Sequence, residues 1–241
     1  MISVCIATYN GGSYIRPQLD SILSQLSPGD EVIVSDDGST DDTLSAVRSM
    51  QTTSPCPIHI LSNAGAHGYT PNFENALRHA RGEYIFLSDQ DDVWLPGKLQ
   101  RMLQSLQSGH TLVVSNARIT DDSLHVTCED YFAARGVHEG FWGNIFKFGY
   151  LGCCLAFDRS VLQHALPFPA DHRYCTHDHW LFLCGQTFGC VEVLQEPLLL
   201  YRRHGDTLTT GALNAHRPLS FRIRYRLYLL WHIACRKLFN R

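Results

Sequence analysis

The sequence has no long hydrophobic run: none of its 241 residues belong to a stretch of the roughly 18 to 20 apolar residues that cross a bilayer. A basic leader is also missing, and the apolar segment from Ile2 to Ala7 is too short for a signal peptide. No motif typical of RNA or DNA binding occurs, and the net charge is −3. We therefore expect a cytoplasmic protein with no nucleic-acid partner.

Basic residues are scarce except near the end of the chain. Residues 216–241 contain seven Lys or Arg and no Asp or Glu, which leaves 13 basic against 23 acidic side chains before them. The body of the protein is thus strongly acidic, near −10. Such a balance argues against a general nucleic-acid binder and sets residues 216–241 apart as a separate basic segment.

A paired cysteine framework is the third absence. The nine cysteines form an odd set, and several lie in apolar runs of a chain that is 44% hydrophobic and long enough for a proper core. We expect buried, reduced thiols, as in cytosolic proteins, rather than disulfides.

Strand and helix patterns alternate over the first 90 residues. The pattern predicts strands at 2–8, 31–35, 58–61 and 83–88, and helices at 13–26 and about 71–80. Another helix is predicted after Asp36, capped by Ser39 or Thr40. This rhythm favours an α/β fold with a mainly parallel sheet, in which ligands bind beyond the carboxyl ends of the strands.

Three of these strand ends are polar: Thr8-Tyr9-Asn10, Asp36-Asp37 and Asp89-Gln90-Asp91-Asp92. Residues two apart share a side of an extended segment, so Asp89 and Asp91 can face one ligand while Gln90 points away. Close carboxylates repel unless a cation neutralises them, and oxygen ligands suit Mg²⁺ or Mn²⁺ carrying a phosphate. The alternative is a solvated acidic turn. No G-x-G-x-x-G follows the first strand, which argues against hydride chemistry.

These segments carry a resemblance to a known family. Ala7-Thr8-Tyr9-Asn10, Val34 to Asp41 and Leu87 to Trp94, in that order and spacing, resemble the nucleotide-sugar-dependent glycosyltransferases of family 2. The resemblance extends over residues 1 to about 210. It implies a GT-A fold and transfer of a sugar with inversion. It also implies a metal-dependent enzyme that uses Mg²⁺ or Mn²⁺ and a dTDP-, UDP- or GDP-sugar as donor.

The resemblance assigns roles to individual residues. It implies that Thr8 and Tyr9 contact the donor base, and that Asp37, alone or with Asp36, accepts the base N3–H. Asp89 resembles the ribose-side carboxylate of the DxD motif. Asp91 resembles the metal ligand that bridges to the diphosphate.

Asp178 is the candidate base, in Thr176-His177-Asp178-His179-Trp180. An inverting transfer needs one carboxylate beside the acceptor hydroxyl to take its proton. Asp178 resembles the acid of the family's xED position, with His177 in place of the usual Glu. A helix N-cap is the alternative role. A zinc site built from His172, Cys175, His177, His179 and Cys184 matches no standard ligand spacing.

The segment Tyr201-Arg202-Arg203-His204 resembles the family's Tyr-Arg-x-His, which implies that His204 approaches the metal and diphosphate. Arg202 or Arg203 would offset charge on the departing nucleotide diphosphate. The Gln-x-x-Arg-Trp pattern of processive synthases is missing, so we expect single or few-sugar additions.

Further strands are predicted at 112–115, 150–157, 190–194 and 197–201, with Gly152 either approaching the donor sugar or serving packing alone. The basic tail predicts an amphipathic helix that lies on anionic lipid or docks on the domain with its charges solvated. The predicted division is a glycosyltransferase domain at 1–215, with a nucleotide-sugar half (1–110) and an acceptor half (111–215), followed by the tail at 216–241.

The predicted function is an inverting glycosyltransferase that acts on a glycan or lipid-linked saccharide in bacterial O-antigen or capsule assembly. Ser88 to Trp94 looks most like the rhamnosyltransferases among the relatives, which makes dTDP-rhamnose the first donor hypothesis. The protein would be cytoplasmic, with peripheral contact at the inner face of the membrane. The alternatives are a nucleotidyltransferase on a similar fold and a non-catalytic nucleotide-sugar or glycan-binding module.

Overall fold

The computed structural model describes residues 1–203 and 218–239 of the chain. Within them, strands pair into one nine-stranded sheet. The strands are β1 (Ile2–Thr8), β2 (Glu31–Asp36), β3 (Ile58–Ser62), β4 (Tyr84–Asp89), β5 (Val93–Trp94), β6 (Leu112–Thr120), β7 (Val126–Cys128), β8 (Leu155–Asp158) and β9 (Val191–Arg202).

The sheet has the order β3-β2-β1-β4-β8-β6-β9-β5, and β7 pairs with β6. Its first four strands are parallel, and β1 is flanked by β2 and β4. Beyond β4 the sheet becomes mixed, because β8 runs antiparallel to both β4 and β6. The predicted α/β sheet is confirmed, and its parallel part contains all three polar strand ends.

Nine α-helices accompany the sheet in the described residues. They are α1 (Ile15–Leu23), α2 (Thr43–Gln51), α3 (Tyr69–His79), α4 (Lys98–Gln107), α5 (Tyr131–Arg135), α6 (Gly140–Phe146), α7 (Ser160–Ala165), α8 (His177–Phe188) and α9 (Leu219–Phe239). The early helices bury a single apolar face, as their spacing predicts: α1 buries Ile15, Leu19 and Ile22 against the sheet. None of the described helices has the length and apolar character that a membrane span requires.

Three local predictions were wrong. α2 begins at Thr43 rather than just after Ser39 or Thr40, because the Ser39 side chain and backbone N–H are both bonded to Asp36. In the segment predicted as a strand, 150–157, Gly152–Cys154 form a 3₁₀ turn. Only the residues from Leu155 onward belong to a strand, β8. The segments predicted as two strands around Pro197 form one strand, β9, whose pairing with β6 shifts register at Asn116, the partner of Pro197.

The cysteines are all unpaired, as expected for reduced thiols. Six of the nine are buried, and they pack into the same continuous core as the strands. Burial raises the pKa of the Cys5, Cys175 and Cys184 thiols, which makes them neutral packing groups at physiological pH.

Candidate functional site

The end of β2 is held by hydrogen bonds to Asp36. One Asp36 oxygen accepts from the hydroxyls of Thr8 (3.1 Å) and Ser39 (2.5 Å), and the other accepts from the backbone N–H groups of Gly38 and Ser39. Both carboxylate oxygens are thus used within the protein, and Asp36 is only 4% exposed. Asp36 and the Thr8 hydroxyl therefore fix the backbone of the turn after β2 from its buried side.

Asp37 lies one residue further and is surrounded by donors from the loop after β3. Asn63 Nδ2 donates to its Oδ1 at 2.7 Å, and His67 Nδ1 lies 3.2 Å from the same oxygen. The backbone N–H of Gly68 donates to Oδ2 at 2.8 Å. The carboxylate is therefore fixed in position at the strand end, between β2 and the start of α3.

Gln90 bridges two strand ends instead of pointing away from the site. Its side-chain oxygen accepts from the Tyr9 backbone N–H at 2.8 Å, and its amide nitrogen donates to the Tyr9 carbonyl at 3.0 Å. This pair of bonds sets the β1 turn against the acidic turn after β4. The Tyr9 side chain stays 56% exposed at the rim.

Acidic groups converge at the end of β4. Ligand atoms of Asp89, Asp92 and Cys153 all lie within 4.8 Å of one another. The negative charges of Asp91 and Asp178 both act on Asp89. The structure thus brings the β4 turn together with the first turn of α8, from a separation of almost 90 residues in the chain.

The pKa of two of these carboxyls is displaced because like charges are crowded in a buried place. Burial, with the charges of Asp91 and Asp178, raises the pKa of Asp89 to about 7. Burial and the charges of Asp91 and Asp89 raise the pKa of Asp92 well above its ordinary value.

A hard divalent cation fits this arrangement. The oxygens of Asp89 and Asp91 are the kind that Mg²⁺ and Mn²⁺ prefer, and Asp91 is partly exposed while Asp92 is fully buried. One oxygen of Asp92 is buried without a hydrogen-bond partner. Burial raises the pKa of the Cys153 thiol well above its ordinary value, so this neighbour of the acids is a neutral group. Bound positive charge would relieve this repulsion.

Asp178 lies in the first turn of α8 and is partly exposed. Its Oδ1 accepts from the His179 backbone N–H at 2.7 Å, whereas Thr176 holds the N-cap position. The neighbouring His177 is buried and stacks on Phe73 at 4.1 Å. The N-cap alternative for Asp178 thus does not match the helix, which begins one residue earlier.

Gly152 leaves the space that this helix start occupies. A Cβ at residue 152 would lie 2.5 Å from His177 Nε2 and 3.4 Å from Asp178 Cβ. Only a glycine lets the 3₁₀ turn approach α8 so closely. Of the two roles considered for this glycine, packing against the helix that carries Asp178 is the one that the geometry displays.

Arg202, at the end of β9, is used differently from the expectation. Its side chain donates through Nε to the Asp91 carbonyl at 2.8 Å and through Nη1 to the Asp122 carbonyl, and it lies over the Tyr14 ring. Its backbone N–H donates to Asp92 at 3.0 Å. Arg202 therefore holds the acidic turn in place, while Arg203 is exposed. His204 lies outside the described residues.

Sequence reasoning missed several of these groups. The pattern predicts that Gln90 points away from the ligand, and it identifies neither the loop donors to Asp37 nor Lys98. Lys98 is fully buried and donates to the Cys153 carbonyl at 2.7 Å. The candidate zinc ligands His177 and His179 instead stack on Phe73 and Phe148. These contacts join residues that are distant in the chain and meet only in the folded protein, so a single sequence does not reveal them.

Comparison with known proteins gives consistent matches. The model of the family described as Glycosyl transferase family 2 matches residues 3–166. The chain is 27% identical over 241 residues to dTDP-rhamnosyl transferase RfbG of Shigella flexneri, covering 92% of the chain and 77% of that protein. It is 26% identical over 185 residues to the UDP-Glc:alpha-D-GlcNAc-diphosphoundecaprenol beta-1,3-glucosyltransferase WfgD of Escherichia coli, covering 76% and 68%.

A solved structure resembles the whole described fold. The mannosyltransferase PcManGT from Pyrobaculum calidifontis, in complex with GDP-Man and Mn²⁺, superposes with a TM-score of 0.64 at 20% identity. The match covers 98% of this chain and 72% of that one. The fold is therefore GT-A, as predicted from the sequence.

Proposed function

The chain belongs to glycosyl transferase family 2, and within that family we propose that it is an inverting enzyme of cell-surface polysaccharide assembly. The donor we propose is a nucleoside-diphosphate sugar, with dTDP-rhamnose first among the candidates because of the similarity to RfbG. The acceptor we propose is a hydroxyl of a lipid-linked saccharide, in line with the acceptor named for WfgD.

The observation that supports this proposal most directly is the proximity of Asp178 to the acidic turn after β4. The Asp178 charge raises the pKa of Asp89, so a carboxylate on α8 lies across a short space from the proposed diphosphate site. An inverting transfer needs a general base, and a carboxylate placed in this way can take a proton from the attacking hydroxyl. Asp178 has partial exposure, which lets an acceptor reach it.

The first two strand ends would hold the nucleotide. Asp37 has fixed carboxylate oxygens at the end of β2, where the N3–H of a uracil or thymine base can donate to a remaining lone pair. Tyr9 offers an exposed ring beside it for base contact. Thr8 would act through Asp36, which it holds from below by a hydrogen bond.

The acidic turn would carry the metal. Asp91 and His204 are the proposed metal ligands, and Asp89 is proposed to lie on the ribose side. His204 lies outside the described residues. A bound Mg²⁺ or Mn²⁺ would neutralise the diphosphate leaving group. The protein's own part is to keep Asp91 in register, which Arg202 does by donating to the Asp91 carbonyl.

The two alternatives make different predictions. A nucleotidyltransferase would release pyrophosphate rather than a nucleoside diphosphate. A non-catalytic binding module would bind a nucleotide sugar without turnover. Family membership and the convergence of Asp89, Asp91 and Asp178 favour the transferase.

A donor screen tests the proposal. Purified protein with Mn²⁺ is incubated with dTDP-, UDP- and GDP-sugars, and nucleoside diphosphate release is measured with and without a saccharide–diphosphate–lipid acceptor. We expect release with one donor and at least a 100-fold loss in Asp91→Asn and Asp178→Asn. Asp20→Asn is the matched control, since Asp20 is an exposed acid on α1. Equal rates in all three variants would contradict the assigned roles.

A further inference from the structure

The outer face of α9 is apolar although the helix is already docked. Leu229 and Ile233 are buried against the domain, and on the opposite side Ile223, Leu227 and Trp231 are 47%, 61% and 67% exposed. Their spacing of four residues places them in one stripe along the helix. The helix therefore has a second apolar face that the described domain does not cover.

α6 extends this stripe sideways. Trp142 and Phe146, one turn apart, are each 64% exposed. Together with Ile223, Leu227 and Leu230 they line a groove of about 250 Å³ between the two helices. We call these residues, with Trp231, the α6–α9 surface. A contiguous exposed apolar area of this kind commonly marks an interaction site, whereas single exposed apolar residues do not.

Arg226 fixes the two helices to each other. Its guanidinium donates to the carbonyls of Ile145 (3.2 Å) and Phe146 (2.7 Å) and lies over the Phe146 ring. The two bonded carbonyls are at the carboxyl end of α6, where a positive charge is also favoured by the helix dipole. The α6–α9 surface is therefore a built feature rather than two unrelated exposed segments.

Basic side chains border the surface. Residues 218–239 contain five Lys or Arg and no acid, and Arg222, Arg224 and Lys237 among them are exposed. Lys147 is exposed at the end of α6. The pattern is an apolar stripe with aromatic rings and a cationic margin, the composition of a helix that lies in the interface of a bilayer.

We infer that the α6–α9 surface binds an anionic lipid bilayer, with Trp142, Leu227 and Trp231 inserted at the headgroup level. The excess of basic side chains along α9 selects this occupant, because residues 218–239 contain five Lys or Arg and no acid. A second copy of the chain, paired through the same surface by a twofold axis, would bring two helices of the same positive sign together, which is repulsive. Anionic headgroups instead meet those charges with opposite sign.

The position of the surface gives it a use. α6 and α9 both pack against α8, and Tyr225 of α9 bonds through its hydroxyl with His179, next to Asp178. A bilayer on this side would present a lipid-linked saccharide close to the proposed base. This consequence rests on the proposed function, whereas binding to the bilayer does not.

Vesicle co-sedimentation tests the inference with the whole 241-residue chain. The vesicles contain phosphatidylcholine alone or phosphatidylcholine with 30 mol% phosphatidylglycerol as probe lipid, at about 0.05 and 0.5 M salt. Tryptophan emission gives a second readout, because Trp94 and Trp180 are buried and Trp142 and Trp231 are exposed. We expect binding to the anionic vesicles, weakened by salt and accompanied by a blue shift.

Three variants identify the surface. Leu227→Ser should weaken partitioning about tenfold, because an inserted apolar side chain is lost. Arg224→Gln should weaken it about fivefold, as expected for one basic residue near a charged membrane. Val126→Ser, at a residue 41% exposed on β7, is the matched control and should bind like the wild type. Circular dichroism and nucleoside diphosphate release check that each variant is folded, independently of the vesicles.

Three results would overturn the inference. The first is no binding to anionic vesicles, and the second is equal binding to neutral and anionic ones. The third is equal behaviour of Leu227→Ser and Val126→Ser. A concentration-dependent dimer that Leu227→Ser dissociates, without vesicle binding, would assign the surface to a second copy of the chain instead. A failed donor screen leaves the vesicle readouts intact, and circular dichroism then remains as the check of folding.

Discussion

The carboxylate of Asp92 accepts a hydrogen bond from the backbone N–H of Arg202 at 3.0 Å, across 110 residues of sequence. Arg202 returns the contact, since its Nε donates to the Asp91 carbonyl at 2.8 Å. These two bonds tie the acidic turn after β4 to the last residue of β9. The turn that would hold the metal is therefore fixed by the strand that leads to Arg203 and His204.

Asp92→Ala should lower the free energy of unfolding by about 2 kcal/mol, because it leaves the Arg202 N–H without its acceptor in a buried place. Asp92→Asn keeps an acceptor oxygen and the side-chain volume, and removes a charge beside Asp89 and Asp91. It should therefore be destabilised by less than about 1 kcal/mol. Urea unfolding of the metal-free protein measures both values, and equal losses would contradict this role of the Asp92 oxygen.

Gly152→Ala should displace the start of α8, since the new Cβ would lie 2.5 Å from His177 Nε2. We expect a loss of about 1 to 3 kcal/mol in unfolding free energy, with a fall in transfer rate as Asp178 moves. Gly29→Ala is the control, because nothing lies within 4 Å of the Cβ at that position.

Shortening the histidine should rescue this defect. In the double variant Gly152→Ala/His177→Ala the added methyl group has room, so the combined loss of stability should be smaller than the sum of the two single losses. Additive losses in a double-mutant cycle would show that the Gly152–His177 contact is not the source of the effect.

Binding of Mn²⁺ should depend on pH because Asp89 has a pKa of about 7 in the metal-free protein. Protons compete with the cation below that pH, so the affinity should fall about tenfold per pH unit from 7 downward and level off above it. Titration calorimetry between pH 5.5 and 8.5 measures the slope. Asp89→Asn should bind more weakly and lose this dependence, while a wild-type affinity that is flat from pH 5.5 to 7 would be incompatible with the raised pKa.

The same shift affects stability with the opposite trend. The folded protein holds the Asp89 proton up to about pH 7, whereas the unfolded chain releases it near the ordinary value of 3.8. Between these values the folded state binds more protons, so the contribution of Asp89 to stability decreases as the pH rises. The difference in thermal midpoint between wild type and Asp89→Asn should widen in favour of the variant from pH 4 to pH 7. Saturating Mn²⁺ should reverse that order.

Gln90→Glu should raise the KM for the donor about tenfold. A glutamate cannot donate to the Tyr9 carbonyl, and it adds a negative charge beside Asp89 and Asp91. Gln104→Glu, an equal change of charge at an exposed residue of α4, is the matched control. Unchanged donor kinetics in Gln90→Glu would mean that the bridge between the two strand ends has no part in binding.

The sequence predicts the first half of the fold well because β1, β2 and β4 are buried on both faces and end at polar turns. β1, β2, β3 and β4 all lie within one or two residues of the predicted positions. The second half was harder to predict, because β8 is short and β6 and β9 pair over long distances in the chain. The apolar residues at Gly152–Cys154 predict a strand. The structure has a 3₁₀ turn there, and the close contact of Gly152 with His177 explains it.

For the candidate site, the motifs identify the acids but not how each one is used. Asp36 and Asp37 are adjacent in sequence, yet one is consumed by its own turn and the other is held by a separate loop. Arginine is a residue type that commonly binds phosphate, but the Arg202 side chain donates to backbone carbonyls instead. The role of each residue depends on which partners the fold brings close to it, and a pattern of residue types does not contain that information.

The order of the strands in the sheet also has a consequence for the assembly of the chain during synthesis. β1 pairs with β2 and β4, so the parallel half can form once the first 90 residues have emerged. Among the described strands β9 is made after all the others, yet it pairs with both β5 and β6 and supplies the Arg202 N–H that Asp92 needs. Contacts so distant along the chain form late. A nascent chain would thus carry Asp89, Asp91 and Asp92 without their anchor until residue 202 had been translated.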